Sequence, residues 1–339
     1  MKIQEHVAMA ANSTMQVGGP VDFFVSVRSE KEVMQACDWA AKQGLSAFVL
    51  GEGSNIVAGE GPLHVLVMKM EIKGFERVSE TRDAVTLKIG GGEHWDGVVE
   101  RTVKLGLSGI EAMSMIPGTA GAAPVQNAGA YGQEVADTLV ELEAYDMRRR
   151  EFVVLHHGDC DFGYRTSTFK TDNAGRYVIT SITLRLSKRA PARPAYESLK
   201  RWLDEHGIEQ PTLERIREGV MAVRARILPD PSVVPNSGSF FESPIVGADK
   251  LAEIEARYKK VPSFKYGEKF KIPAGWIVEQ CGFKGSEHFG LKVWDHHALV
   301  ITNPNHAKFG DLMRLVDLIQ RTAKEKFGLE LEPEPLFLD

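Results

Sequence analysis

The chain has 339 residues, 43% hydrophobic and 26% charged, which is enough apolar material for a packed core and excludes a chain disordered throughout. Its 41 basic and 46 acidic side chains leave a net charge of −5, which argues against a general binder of nucleic acid or anionic membrane, since such proteins present a basic face. The three cysteines, Cys37, Cys160 and Cys281, are far apart and form no Cys-x-x-Cys pair, so neither a disulfide framework nor a structural zinc site is expected.

The first residues carry no apolar stretch of signal-peptide type, and no run of about 18 apolar residues occurs. A reducing, cytoplasmic setting is the expectation. Residues 21–27 read as a strand. Ser29 and Glu32 then match a capping box, followed by Val33, Cys37, Ala40 and Ala41 at helical spacing. Residues 45–50 read as a buried strand running into Gly51-Glu52-Gly53-Ser54-Asn55. Further strands are expected at 63–68, 84–89, 139–145, 151–155 and 177–186. Residues 187–194, a basic, proline-containing stretch, read as a linker, with a domain boundary there. Beyond it, helices are expected at 197–206, 213–226, 248–259 and 311–327, the last with Leu312, Leu315, Val316 and Ile319 on one stripe.

Five segments could carry chemistry. In 51–55, two glycines permit positive φ and close backbone approach, and such a nest of N–H groups can cradle a phosphate. It is neither a dinucleotide fingerprint nor a P-loop, and taken alone a tight strand-ending turn is the simpler reading. Residues 116–132 are small, almost uncharged and contain Gly118, Gly121, Gly129 and Gly132. Such a stretch suits backbone laid directly against a flat, phosphate-bearing ligand, with Gln126, Asn127 and Tyr131 available to read ring edges or hydroxyls. Two such loops in one region favour ligand binding over a structural turn. The third segment, 161–170, presents Tyr164 and Arg165; arginine can pair a carboxylate or meet a developing oxyanion, while for a single arginine an exposed surface loop is the commoner case. The fourth, 236–241, sets Ser239 between a glycine and two phenylalanines, without the elbow of a hydrolase nucleophile; a proton donor or hydrogen-bond anchor and a purely structural serine are equally open there. The fifth, 331–335, holds Glu334 between two prolines, which stiffen an extended chain and fix a carboxylate suited to acid–base work, although taken alone a solvated acidic tail is the simpler reading. The adjacent pairs His156-His157 and His296-His297 do not share a face and form no metal pattern. Trp276 is expected to pack in the core.

In this order, LGEGSN (50–55), IPGTAGAAPVQNAGAYG (116–132), FGYRTSTFK (162–170), LPDP (228–231), NSGSFF (236–241), AGWIVEQCGFKG (274–285) and LEPE (331–334) closely resemble the UDP-N-acetylenolpyruvoylglucosamine reductase family, over nearly the whole chain. The resemblance implies an α+β fold: a two-part FAD-binding domain of the vanillyl-alcohol-oxidase type at 1–187, divided near residue 70, and a C-terminal α/β substrate-binding domain at 195–339. The segment around Tyr196 looks like the longer, type I form of the family. The implied reaction takes hydride from NADPH through non-covalent FAD to the enolpyruvyl group of a UDP-sugar, completing a lactyl ether in peptidoglycan precursor synthesis. By the family match Ser239 delivers the proton, and Arg165 and Glu334 stabilise the enolate. Elementary chemistry adds that an ionised Glu334 would repel that intermediate, so a protonated or proton-sharing Glu334 is expected.

By the same resemblance, the flavin contacts fall at Gly51, Glu52, Gly53, Ser54 and Asn55 in the first loop. In the second they fall at Pro117, Gly118, Thr119, Ala123, Gln126, Asn127, Gly129 and Ala130. Tyr131, Tyr164, Tyr196, Asn236 and Lys284 would contact the substrate, and no metal, nucleic acid or membrane enters; monomer is the family expectation. The chain departs from the pattern at Ile227, where the family often has lysine and where Arg224 and Arg226 stand nearby, at Trp294 and His297, and at 14–17. The competing readings are an FAD-dependent oxidase of the same fold and a non-catalytic flavin or nucleotide-sugar binder.

Overall fold

The computed structural model describes every residue from Met1 to Asp339. The chain forms two units, neither of them one stretch of sequence: Met1–Val7, Val21–Glu52 and His64–Ala225 make the first, and Ala8–Pro20, Gly53–Leu63 and Arg226–Asp339 make the second.

The first unit begins with a four-stranded sheet in the order Gln4–Ala8, Pro20–Val27, Leu63–Met70, Ser46–Leu50. The last two run parallel, with Ala47 opposite Leu66. Helix α1, Glu30–Gln43, supplies the crossover towards this parallel pair. Ser29 caps it by accepting from Glu32 N–H, and Glu32 reaches back to the N–H of Arg28 at 2.8 Å, one residue earlier than a strict capping box requires. Val33, Ala36 and Ala40 of α1 pack on Val25, Val27, Leu66 and Met68.

A five-stranded sheet follows in the order Glu151–His156, Leu139–Asp146, Tyr177–Ser187, Ala84–Gly90, Phe75–Glu80, antiparallel throughout. Helix α2, Trp95–Lys104, covers it, burying Trp95, Val98, Val99 and Val103 beside Leu87, Ile89, Leu142 and Ile182. Helices α3, Glu197–Glu205, and α4, Leu213–Ile227, close the unit. Leu199, Ile216 and Val220 bury against Ala112, while Leu213 enters the core of the five-stranded sheet.

The second unit has a four-stranded antiparallel sheet, Asn236–Ser239, Val300–Thr302, Leu291–Val293, Glu287–His288. Helices α5, Ala248–Arg257, α6, Ala274–Gln280, and α7, Phe309–Phe327, surround it. The apolar stripe of α7, Leu312, Leu315, Val316 and Ile319, meets Phe240, Phe241, Ile277 and Ile301 in one core. Trp276 packs at the margin of that core, partly buried. No helix is long and apolar enough to cross a membrane.

This division departs from the linear one, 1–187 and 195–339, in two respects. The apolar faces of α3 and α4 bury in the first unit, so the chain leaves that unit after Ala225 rather than at the basic stretch. Residues 8–20 and 53–63 join the second unit because Leu336–Leu338 pairs in parallel with Ile56–Ala58, and Met15, Val17 and Val57 complete its core.

Candidate functional site

In the first unit, the strand Ser46–Leu50 delivers Gly51 and Glu52 against the small-residue loop. A Cβ at Gly51 would stand 2.9 Å from Thr119 Oγ1, and a Cβ at Gly121 would meet the backbone of Gly91 at 3.0 Å. Glu52 accepts the Gly118 N–H at 2.9 Å, fastening one loop to the other. Gly121 thus packs on the backbone of Gly91, and Gly51 on the side chain of Thr119, both at distances only glycine allows.

The loop ends in a tight hairpin. Gly129–Ala130 pairs with Gln133–Glu134, and the two turn residues, Tyr131 and Gly132, have φ of 52° and 90°. A primed turn demands this conformation, which is costly for a tyrosine. Asn127, also left-handed at φ 46°, is fully buried, donates to Gly163 O at 3.1 Å and accepts from Ala136 N–H at 3.0 Å. Ser167 donates to Val125 O at 2.6 Å, and Arg165 donates to Gly129 O at 2.8 Å from a backbone held at φ 55°. The Arg165 guanidinium lies over Tyr164, 5.4 Å from the ring centre. The segment 161–170 is therefore strapped to the loop at three points, and Arg165 is fixed before any ligand arrives.

Tyr131 stands edge-on to Tyr196, ring centres 5.1 Å apart. Burial pushes its phenol above the ordinary range, against the pull of the neighbouring Arg224 charge. Arg224 is the residue that the motifs singled out only as a neighbour of Ile227. Burial pulls its guanidinium down from the usual value, and Nε is sealed from solvent without a hydrogen-bond partner. Arg226 is exposed.

In the second unit, Ser239 and Glu334 are brought onto neighbouring segments. Glu334 N–H donates to Phe240 O at 2.9 Å, Glu242 N–H to Glu332 O at 2.9 Å, and Phe241 bridges Pro333. Both side chains are half-buried. Gly238, at φ 74°, turns the strand immediately before Ser239, and its N–H donates to Asn236 Oδ1 at 2.9 Å. Asn236 is buried and donates to Val234 O at 2.8 Å, so it shapes the turn. Asn55 donates to Glu334 O at 3.3 Å and its carbonyl accepts Leu336 N–H at 3.0 Å. Gly53 O accepts the Thr14 N–H at 3.0 Å. Asn55 thus holds the segment bearing Glu334. Lys284 pairs with Glu279 at 3.0 Å. Arg165 belongs to the first unit, Ser239 and Glu334 to the second.

The residues fit a flavin nucleotide. Thr119 Oγ1 is buried without a hydrogen-bond partner, and it faces a glycine that leaves no room for a side chain. An orphaned buried hydroxyl beside stacked glycines is what a ligand's oxygen atoms would satisfy. Residues 21–150 match the family model described as the FAD binding domain, which with the fold defines an FAD-dependent oxidoreductase. Residues 230–338 match the model for the C-terminal domain of UDP-N-acetylenolpyruvoylglucosamine reductase. The reductase of that name from Chromobacterium violaceum is 40% identical over 291 residues, 85% of either chain. That from Ralstonia nicotianae is 38% identical over 340 residues, 99% of either chain. The chain belongs to the UDP-N-acetylenolpyruvoylglucosamine reductase family. The crystal structure of the reductase from Thermus caldophilus shares the fold, with a TM-score of 0.70 at 22% identity over the whole of both chains. The expected α+β fold with an FAD-binding domain first is borne out.

Proposed function

We propose that this enzyme uses NADPH to reduce the enolpyruvyl ether of UDP-N-acetylglucosamine to UDP-N-acetylmuramate, as a cytoplasmic monomer in peptidoglycan precursor synthesis. FAD, when bound, supplies a hydride acceptor for NADPH and a hydride donor for the substrate. Gly51, Glu52, Gly118, Thr119 and Gly121 would hold it, through backbone approach and the orphaned Thr119 hydroxyl.

The remaining work falls to side chains. Hydride arriving at the terminal carbon of the enolpyruvyl group pushes an electron pair into its carboxylate. Arg165, held in place by Gly129 O, offers a fixed positive charge to that enediolate; preorganised charge in a water-poor site is the largest catalytic effect commonly available. Glu334 enters protonated, since a second negative charge beside the intermediate would raise its energy. Ser239 gives its proton to the carbon bearing the carboxylate. A serine is a weak acid, and it succeeds here because its acceptor is a far stronger base and its geometry is fixed by the Gly238 turn.

The observation that supports this most directly is the bond from Glu334 N–H to Phe240 O at 2.9 Å, which ties the proposed acid's strand to the segment bearing Glu334. Replacing Ser239 by Ala should slow reoxidation of the reduced flavin by substrate by about 10²–10⁴-fold, the usual worth of a positioned proton donor. Reduction by NADPH should stay within a few-fold of the parent enzyme. Equal damage to both half-reactions in stopped flow would remove Ser239 from the role of acid.

A further inference from the structure

Helix α4 grips the small-residue loop near both ends. At its start, Arg217 makes a two-pronged bond to Asp96, 2.6 and 2.8 Å, with side chains 13% and 22% exposed. The same carboxylate accepts the N–H of Met115 at 2.6 Å, immediately before the loop, where Met115 is held at φ 59°. Two turns further along, on the same face, Arg224 lies near enough to Tyr131, at the loop's far end, for its charge to act on that hydroxyl. Asp96 and Arg217 therefore fix the rotation and register of α4, and with them the position of Arg224.

Arg224 has one buried donor left over. Its Nε is sealed from solvent with no partner. The acidic group whose charge it feels, Asp96, has both oxygens held by Arg217, and the like charge of Arg165 acts against it. A guanidinium in this position, without a carboxylate, is a donor fork waiting for an anion from outside the protein. The chain offers no lysine at Ile227, and Arg226 points to solvent, so the positive charge that this stretch brings to the loop is that of Arg224.

We propose that Arg224 is a substrate-binding residue that takes a pair of anionic oxygens from the nucleotide sugar in its two-pronged grip, with Tyr131 and the Asp96–Arg217 pair as its positioning partners. The inference rests on the reading of the substrate given above. Two groups of such a ligand share the required chemistry, the carboxylate of its three-carbon arm and its diphosphate.

Calorimetric titration of the oxidised holoenzyme separates them. UDP-N-acetylmuramate carries both groups, and UDP-N-acetylglucosamine carries the diphosphate alone. Arg224→Met, with its flavin content matched to the parent, should weaken UDP-N-acetylmuramate by about tenfold to a hundredfold, the worth of a charge-assisted bond. A loss confined to that ligand assigns the carboxylate; an equal loss for both assigns the diphosphate. Affinities for both ligands within twofold of the parent would overturn the proposal. Should Arg224→Met fail to hold flavin, Arg224→Lys carries the test, since it keeps the charge without the fork. There at least a threefold weakening is expected, and parent-like affinity would overturn the proposal. A parent enzyme that binds neither nucleotide sugar would instead overturn the reading of the substrate, and this inference with it.

Discussion

At the scale of single residues, the site is built from backbone conformations that most side chains avoid. Met115, Asn127, Tyr131 and Arg165 all sit at positive φ, and hydrogen bonds on both sides of the loop hold them there. Such strain persists only where the surroundings over-determine it. The glycines act by approach rather than by flexibility: Gly121 faces the backbone of Gly91 and Ile179 at 3.0 Å, atoms that cannot rotate away. Gly121→Ala should therefore lower the flavin content of the purified protein and cost about 1–3 kcal/mol of stability, as overpacking does. Gly51→Ala meets a rotatable threonine hydroxyl and should lose flavin affinity with less loss of stability. Flavin-to-protein ratios and urea unfolding of the two variants check this, and a fully loaded, parent-like Gly121→Ala would contradict it. The sequence showed Arg165, Ser239 and Glu334 as chemistry-bearing residues in unusual local contexts. It hid the engagements of Asn55, Asn127 and Asn236, because an asparagine in a glycine-rich loop looks the same whether it faces a ligand or a carbonyl across the fold.

At the scale of elements, periodicity located seven of the twenty strands, none of them beyond Ser187, and four of the helices within a residue or two. Helix α2 was missed: its cap is His94, whose ring accepts from Gly97 N–H, and an aspartate and a glycine in the first turn read as a loop. Helix α6 is short and follows a proline, and the strand Phe75–Glu80 is mostly exposed, so neither shows a clear pattern. One element carries a pH dependence. Asp146, fully buried at the end of its strand, receives Arg176 through two nitrogens and the N–H groups of Arg148 and Arg149. Arg176 holds its carboxyl below the usual carboxylate range, with the two N–H groups helping. A depressed native value means that Asp146 contributes stability in full above its unfolded pKa of about 3.9, and that this is lost as pH falls through the native value. Asp146→Asn should cost about 2–3 kcal/mol at pH 7, and the gap from the parent protein should narrow below about pH 4. A gap constant from pH 7 to pH 3 in denaturant titrations would show that the ion pair is not its source.

At the scale of the whole molecule, the chain returns on itself in a way no linear reading could show. The C-terminal strand Leu336–Leu338 lies parallel to Ile56–Ala58, and this long-range pairing seats the segment bearing Glu334. Removing residues 336–339 should lower Tm by about 3 °C, given a loss of roughly 2 kcal/mol in a protein of this size, and should impair the half-reaction with substrate more than that with NADPH. Equal losses in both half-reactions would contradict this placement of the tail's role. Sequence pattern saw the two-domain composition but not the exchange of 8–20 and 53–63 into the second unit, since those segments are short and their partners lie hundreds of residues away.

The proposed reaction is tested most directly by an anaerobic absorbance spectrum of the purified protein, taken before and after NADPH and again after UDP-N-acetylglucosamine enolpyruvate. The flavin spectrum should bleach with NADPH and recover on adding the enolpyruvyl substrate without oxygen. A flavin that bleaches and recovers only when air is admitted would contradict it, pointing to an oxidase and leaving Ser239 and Glu334 as structural residues.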